Sequence, residues 1–199
     1  MIGRLNGILI AKQPPMLLLD VHGVGYEIEV PMSTFFKLPA VGEAAVLQTH
    51  LVVREDAHLL FGFATQSEKT LFREIIKISG IGPKLGLAIL SGIGVEDFWA
   101  AVRLGETGRL VKLPGIGKKT AERIVIELRD KAGAGGPGDI GSLNAAGVTI
   151  AATPLAEARA ALESLGYKPL EAQKLSDAVH KDGMSTDQII REALKRAAR

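Results

Sequence analysis

Leu113-Pro114-Gly115-Ile116-Gly117-Lys118-Lys119-Thr120-Ala121 is the stretch around which the rest of the chain is organised. A Gly-Ile-Gly turn can take φ > 0 and come close to a partner with no Cβ in the way. Lys118 to Arg129 then places Ile124, Val125 and Leu128 on one stripe, which predicts a helix. A glycine turn feeding a helix start presents unpaired N–H groups and the positive end of the helix dipole, the makings of an anion site. Lys118, Lys119 and Arg123 add full charges there. Phosphate is the anion expected. From this one copy, a bare αα-corner with solvated lysines is an equal reading.

A second copy tilts the balance. Ile78-Ser79-Gly80-Ile81-Gly82-Pro83-Lys84 repeats the pattern, with Gly80 and Gly115 35 positions apart. Pro83 suits a first helical turn, where its missing N–H costs nothing. Upstream, Thr65-Gln66-Ser67-Glu68 has capping-box spacing and opens a helix carrying Leu71, Phe72, Ile75 and Ile76. Helix, Gly-Ile-Gly and helix therefore occur twice, each time with lysine just beyond the turn. Two such clamps suit a polymer of regularly spaced phosphates better than a mononucleotide. A third candidate, Gly92-Ile93-Gly94, is followed by Glu96 and Asp97 and reads as a helix cap. On these residues the central segment resembles the helix–hairpin–helix family of sequence-independent DNA binders.

The flanking segments differ in character. Residues 1–63 hold apolar or alternating runs at Ile8 to Ile10, Met16 to Val21, Tyr26 to Val30, Val46 to Val53 and Leu59 to Phe63. Turn signals at Gln13-Pro14-Pro15, Gly23-Val24-Gly25 and Arg54-Glu55-Asp56 separate them. Five short strands at this spacing predict a small antiparallel barrel of the OB type. Its usual single-strand signature, aromatics interleaved with basic residues, is weak: only Tyr26, Phe61 and Phe63 fall in strands. Residues 64–131 read as helix throughout. They carry 12 Lys/Arg against 8 Asp/Glu, a net +4, while residues 1–63 carry 4 against 6, a net −2. The positive charge thus gathers with the two hairpins, the footprint of phosphate contact, although the whole chain is only +2.

Residues 132–152 include six glycines (Gly133, Gly135, Gly136, Gly138, Gly141, Gly147) and one charge, Asp139. That composition predicts a flexible linker with a reach of roughly 25 Å. Residues 153–199 predict three short helices. Thr153-Pro154 starts the first and Gly166 ends it; Pro169 starts the second and Gly183 ends it; Ser185-Thr186-Asp187-Gln188 caps the third. Leu155, Ala158, Leu162 and Leu165 form one stripe, and Ile189, Ile190 and Leu194 another. Three short helices bury little, so the unit reads either as a docking module with exposed apolar side chains or as a complete mini-bundle. The fold class expected is α+β multidomain: barrel, tandem hairpin domain, linker and three-helix domain.

Composition narrows the chemistry. An apolar content of 47% and a mean hydropathy of +0.21 describe a foldable chain. With no cysteine there is no disulfide, thiolate zinc site or iron–sulfur cluster. His22, His50, His58 and His180 are too scattered for a metal site. No metal or cofactor is expected. No apolar run reaches membrane-spanning length and no signal design opens the chain, which leads to the expectation of a cytoplasmic protein. No Gly-x₄-Gly-Lys-[Ser/Thr] occurs, so any ATP is used by a partner.

Taken whole, the chain is similar to the family of Holliday-junction-binding subunits of the bacterial branch-migration complex. The resemblance rests on Met1-Ile2-Gly3-Arg4-Leu5-Asn6-Gly7, the Arg54-Glu55-Asp56 tip, both Gly-Ile-Gly hairpins and Leu165-Gly166-Tyr167-Lys168-Pro169, in that order. It implies a homotetramer whose basic face holds a four-way junction open and planar in recombination, repair and the DNA-damage (SOS) response. One or two tetramers would enclose the junction. It implies phosphate contacts from Gly80, Gly82, Lys84, Gly115, Gly117, Lys118, Lys119 and Arg123, and an acidic pin of Glu55 and Asp56 in the junction's centre. It implies that the C-terminal unit binds the AAA+ motor RuvB, with Leu162, Leu165 and Tyr167 as contacts, though Leu162 and Leu165 fit a core role equally. The endonuclease RuvC would act on the same junction. The rival is a helix–hairpin–helix glycosylase/lyase with Lys119 as nucleophile. Such an enzyme needs an aspartate beyond the hairpin, and between Asp130 and Thr153 the only acid is Asp139 in the glycine-rich segment. A second helical lobe to hold a flipped base is missing too.

Overall fold

The structure, a computed structural model, describes residues 1–133, 153–181 and 183–197. The chain divides into two compact units, Met1–Ile140 and Gly141–Arg199.

In the first unit β1 (Arg4–Gln13), β2 (Met16–Val21), β3 (Val24–Glu29), β4 (Ala44–Val53) and β5 (His58–Phe63) close a barrel in the order β1-β2-β3-β5-β4. This is the OB-type barrel expected, with a short helix α1 (Met32–Phe35) between β3 and β4. Strand β1 pairs with β2 along one half and β4 along the other, and its register shifts between Leu9 and Ala11. The backbones of β1 and β2 approach so closely at Gly7 that a Cβ there would stand 2.0 Å from the Asp20 carbonyl oxygen. Alternation along the strands sends Leu5, Leu9, Leu17, Leu19, Ile28 and Leu47 inward.

One turn lies earlier than the sequence suggests. His22 (φ 54°) and Gly23 (φ 87°) form the β2–β3 hairpin, while Val24 and Gly25 pair in β3 with Val21 and Asp20. Two consecutive positive φ values match the twist of a two-residue hairpin. The Asp20 carboxylate steadies it by accepting the Gly23 N–H at 2.7 Å.

Five helices follow: α2 (Gln66–Ile75), α3 (Pro83–Gly92), α4 (Val95–Leu104), α5 (Thr107–Leu110) and α6 (Lys118–Gly133). The capping box is formed: Thr65 Oγ1 accepts the Glu68 N–H at 3.2 Å and Glu68 Oε2 accepts the Thr65 N–H at 3.3 Å. The buried Glu68 carboxylate also accepts from the Thr34 hydroxyl (3.0 Å), the Ala64 N–H (3.1 Å) and Lys37 (3.3 Å). It thereby ties α1, the end of β5 and α2 together, and its burial is compensated by these donors. Phe61 and Phe63 of β5 pack on Phe72 of α2 with ring centroids 5.2 and 4.9 Å apart. They share one buried cluster with the helices. Barrel and helices are therefore joined through the far end of β5, although the barrel interior is a separate buried cluster and the sequence changes character at residue 64. Gly94 caps α4, as the third glycine pair predicts, with Glu96 and Asp97 in the first turn. Helix α6 runs to Gly133, and the rest of the predicted linker lies outside the described residues.

In the second unit α7 (Pro154–Ser164), α8 (Pro169–Val179) and α9 (Thr186–Ala197) pack pairwise. Thr153 caps α7, and Ser185 and Gln188 exchange the expected capping bonds at α9. Gly166 (φ 99°) and Gly183 (φ 86°) take the left-handed conformation at the turns. The core is small: Ala158, Leu162, Ala172, Ile189 and Ala193, with the Ser176 hydroxyl satisfied by the Gln173 carbonyl and Arg159.

Candidate nucleic-acid interface

The two hairpins are built alike. In each, the isoleucine between the glycines is buried and its N–H closes the turn: Ile81 to the Ile78 carbonyl (3.0 Å) and Ile116 to the Leu113 carbonyl (3.1 Å). The leading glycine is left-handed, with φ 88° at Gly80 and 77° at Gly115. The second glycine's carbonyl starts the next helix, accepting from Gly86 (3.0 Å) and Ala121 (2.9 Å). Anchoring the isoleucine inward turns the flanking glycine amides outward. Among the described residues the N–H groups of Gly80, Gly82, Gly115 and Gly117 have no acceptor, and all four glycines are exposed. Donors of this kind beside a helix N-terminus form a phosphate cradle.

Lys84, Lys118 and Lys119 stand on the first turns of α3 and α6, with no carboxylate at ion-pair distance among the described residues. Several acids of the helical region are engaged elsewhere: Glu74 with Lys77 and Lys131, Asp97 and Glu106 with Arg109. Partial burial would raise the Glu74 carboxyl, but hydrogen bonds and charge from Lys131 and Lys77 outweigh it and hold the group below the usual carboxylate range. The hairpin lysines are thus free of direct ion pairs among the described residues.

Arg123 departs from the role of a simple counter-charge. Its Nη1 donates to the Ser79 carbonyl at 2.7 Å, bridging α6 to the first hairpin. The second hairpin meets α3 in return: a Cβ on Gly115 would lie 2.9 Å from Leu85 Cδ1. The periodicity of α6 gives no hint of these cross-contacts, which join residues far apart in sequence.

Glu55 and Asp56 occupy the β4–β5 turn, which the Arg54 N–H closes on the Ala57 carbonyl at 2.8 Å. Both are exposed and pair with no cation among the described residues.

In the C-terminal unit the three candidate docking residues part ways. Leu162 is 0% exposed and holds the three helices together, so the structure corrects its assignment to the docking surface. Tyr167 is half-buried against that core. Leu165, at the C-cap of α7, is 60% exposed. Leu170, 74% exposed in the first turn of α8, is a further apolar surface residue outside the two predicted stripes. Its signal is in the sequence: Gln173 and Lys174, three and four residues on, are polar, so Leu170 lies off the buried stripe.

Lys119, the nucleophile of the lyase reading, stands open on the surface of α6. A cleft of about 460 Å³ in the first unit is lined by Lys84, Met16 and Leu87 instead. The aspartate such chemistry needs, Asp139, lies outside the described residues.

Fold and site define a tandem helix–hairpin–helix protein whose hairpin domain packs on the last strand of a small β-barrel and is followed by a separate three-helix unit. Three family models match it: RuvA N terminal domain over residues 1–62, SAM-like helix-hairpin-helix tandem over 72–130, and RuvA C-terminal domain over 153–198. The chain is 52% identical over 201 residues to the Holliday junction branch migration complex subunit RuvA of Vibrio vulnificus (strain YJ016), covering 98% of each. Against the proteins of that description from Mannheimia succiniciproducens and Thioalkalivibrio sulfidiphilus it is 52% and 53% identical over 204 and 198 residues, with at least 98% of each chain covered. The chain belongs to the RuvA family. These matches do not favour the glycosylase/lyase reading.

Proposed function

We propose that this chain binds four-way (Holliday) DNA junctions irrespective of sequence, holds them open and planar, and recruits an ATP-driven motor of the RuvB type to move the branch point. The observation that carries the reading is the pair of matching hairpins in one core, each offering outward glycine amides beside an unpaired lysine. Phosphate contacts fix a duplex without reading its bases. Branch migration demands that indifference, since every sequence must pass.

A homotetramer would place four such pairs of hairpins around four duplex arms. Glu55 and Asp56 would then meet on the four-fold axis, repelling the converging backbones and keeping the crossover open. The C-terminal unit, with Leu165 exposed and Tyr167 at its edge, would dock the motor, and the RuvC endonuclease would reach the same junction. The chain itself would act in the cytoplasm as a non-catalytic subunit.

The test is a band-shift comparison of a four-way junction, a linear duplex and a duplex with one abasic site. Preferential retardation of the junction with all strands intact supports the reading. Cleavage at the abasic site would revive the lyase, and equal retardation of junction and duplex would overturn junction selectivity.

A further inference from the structure

The bond from Arg123 to the first hairpin bears on how the two phosphate sites are set. The Ser79 carbonyl that accepts it belongs to the same peptide group as the Gly80 N–H, one of the outward amides. That group is planar and trans, so its C=O and N–H point in opposite directions. Holding the oxygen therefore aims the N–H. A positively charged donor on the oxygen also polarises the group and strengthens the N–H as a donor.

The bond spans 44 positions and runs from the helix that begins at the second hairpin to the turn of the first. By the 35-residue repeat, the position equivalent to Arg123 after the first hairpin is Ala88, which has nothing to donate. The reverse contact is made by Leu85 against Gly115 instead. The two hairpins thus brace each other by different means: one by a charged hydrogen bond, the other by close packing. The hairpin braced by Arg123 is the one with a single lysine at its helix start, Lys84, where the other has Lys118 and Lys119.

We propose that Arg123 is a positioning residue that sets the direction of the Gly80 amide and the spacing of the two hairpins, rather than a phosphate ligand. This rests on the reading of both hairpins as phosphate sites. The test uses the full chain with Arg123→Met, which keeps the aliphatic stem and removes the donors; Arg123→Gln serves as a second variant if methionine disturbs the fold. Junction affinity is expected to fall about tenfold, the scale of one charge-assisted hydrogen bond, with the slope of log K against log[salt] unchanged. In the free protein, exchange of the Ile81 amide, whose bond to Ile78 closes the same turn, is expected to accelerate. A drop in slope of about 0.9 marks one fewer neutralised phosphate and overturns the proposal. Unchanged affinity, or unchanged Ile81 exchange, overturns it as well. If the wild-type chain binds no junction, the proposed function fails, while the exchange rate still decides whether Arg123 braces the turn.

Discussion

The hairpin unit and the C-terminal bundle handle their apolar residues differently. The first buries four phenylalanines, Phe61, Phe63, Phe72 and Phe98, in one cluster formed by the helices and the end of β5. The second centres on Leu162, Ala172 and Ala193 and leaves Leu165 and Leu170 in solvent. Aromatic side chains bury large areas and fix neighbouring elements relative to one another, so the first unit can hold two phosphate cradles at a set spacing. A bundle whose core is mostly alanine is only modestly stabilised. Exposed apolar side chains occur in both units, Phe36, Leu104 and Ile126 in the first among them, so the two differ in the size of their buried side chains and not in apolar exposure.

The largest expected effect separates the two units outright. A chain ending at Lys131 should bind a four-way junction like the full protein and fail to stimulate the motor's ATPase. Leu165→Asp should reproduce that failure with the bundle still folded by circular dichroism. Leu162→Ala should act differently, unfolding the bundle at a cost of about 2–5 kcal/mol, because Leu162 and Ile189 are the only large side chains among the fully buried residues described in this core. Full motor stimulation by the truncated chain would show that the bundle does not dock the motor.

Next in size is removal of the second hairpin's charge. Changing Lys118 and Lys119 together to Ala should weaken binding to junctions of every sequence alike and lower the salt slope by about 0.9 for each phosphate no longer neutralised. Titration at several salt concentrations reads both effects, and an unchanged slope would remove these lysines from the interface. Motor docking by the bundle should be unaffected.

A smaller effect is expected at the barrel's tip. Glu55→Gln with Asp56→Asn should raise affinity for linear duplex more than for the junction, so selectivity narrows while fold and oligomer size stay as they are. The gain should be greatest at low ionic strength, where charge repulsion is least screened. Unchanged duplex binding there would leave these residues as an ordinary turn.

The smallest effect is on pH. Burial, then the charges of Arg73 and Lys69, depress the His50 imidazole below its usual value near 6.5. The unfolded chain therefore takes up this proton first as the pH falls. Stability from this group is complete above about 6.5 and declines below it toward the folded value. Denaturation midpoints of the first unit between pH 7 and 5 should fall less steeply in His50→Gln. That variant also gives up the edge-on packing of His50 against Phe72, at 5.8 Å, which lowers its stability equally at every pH.

What can be read from the chain alone is local. The glycines at 80, 115, 166 and 183 announce backbone that other residues adopt only under strain. Thr65 with Glu68 and Ser185 with Gln188 announce helix starts, and strand spacing announces the barrel, because turn and cap chemistry is settled within a few residues. The β2–β3 turn sits one residue earlier than its glycine pair suggests, because His22 also takes positive φ. Other matters depend on which side of each helix faces inward and on partners far along the chain. Leu162 and Leu165 lie on one apolar stripe, yet only the packing of α8 and α9 buries the first and leaves the second out. Arg123 reads as a spare charge until the fold brings it to Ser79. The boundary at residue 64 looks like a domain break until Phe61 and Phe63 are found against Phe72. Burial and long-range hydrogen bonds are properties of the assembled core, and a periodic pattern records only that a face is apolar, not what will cover it.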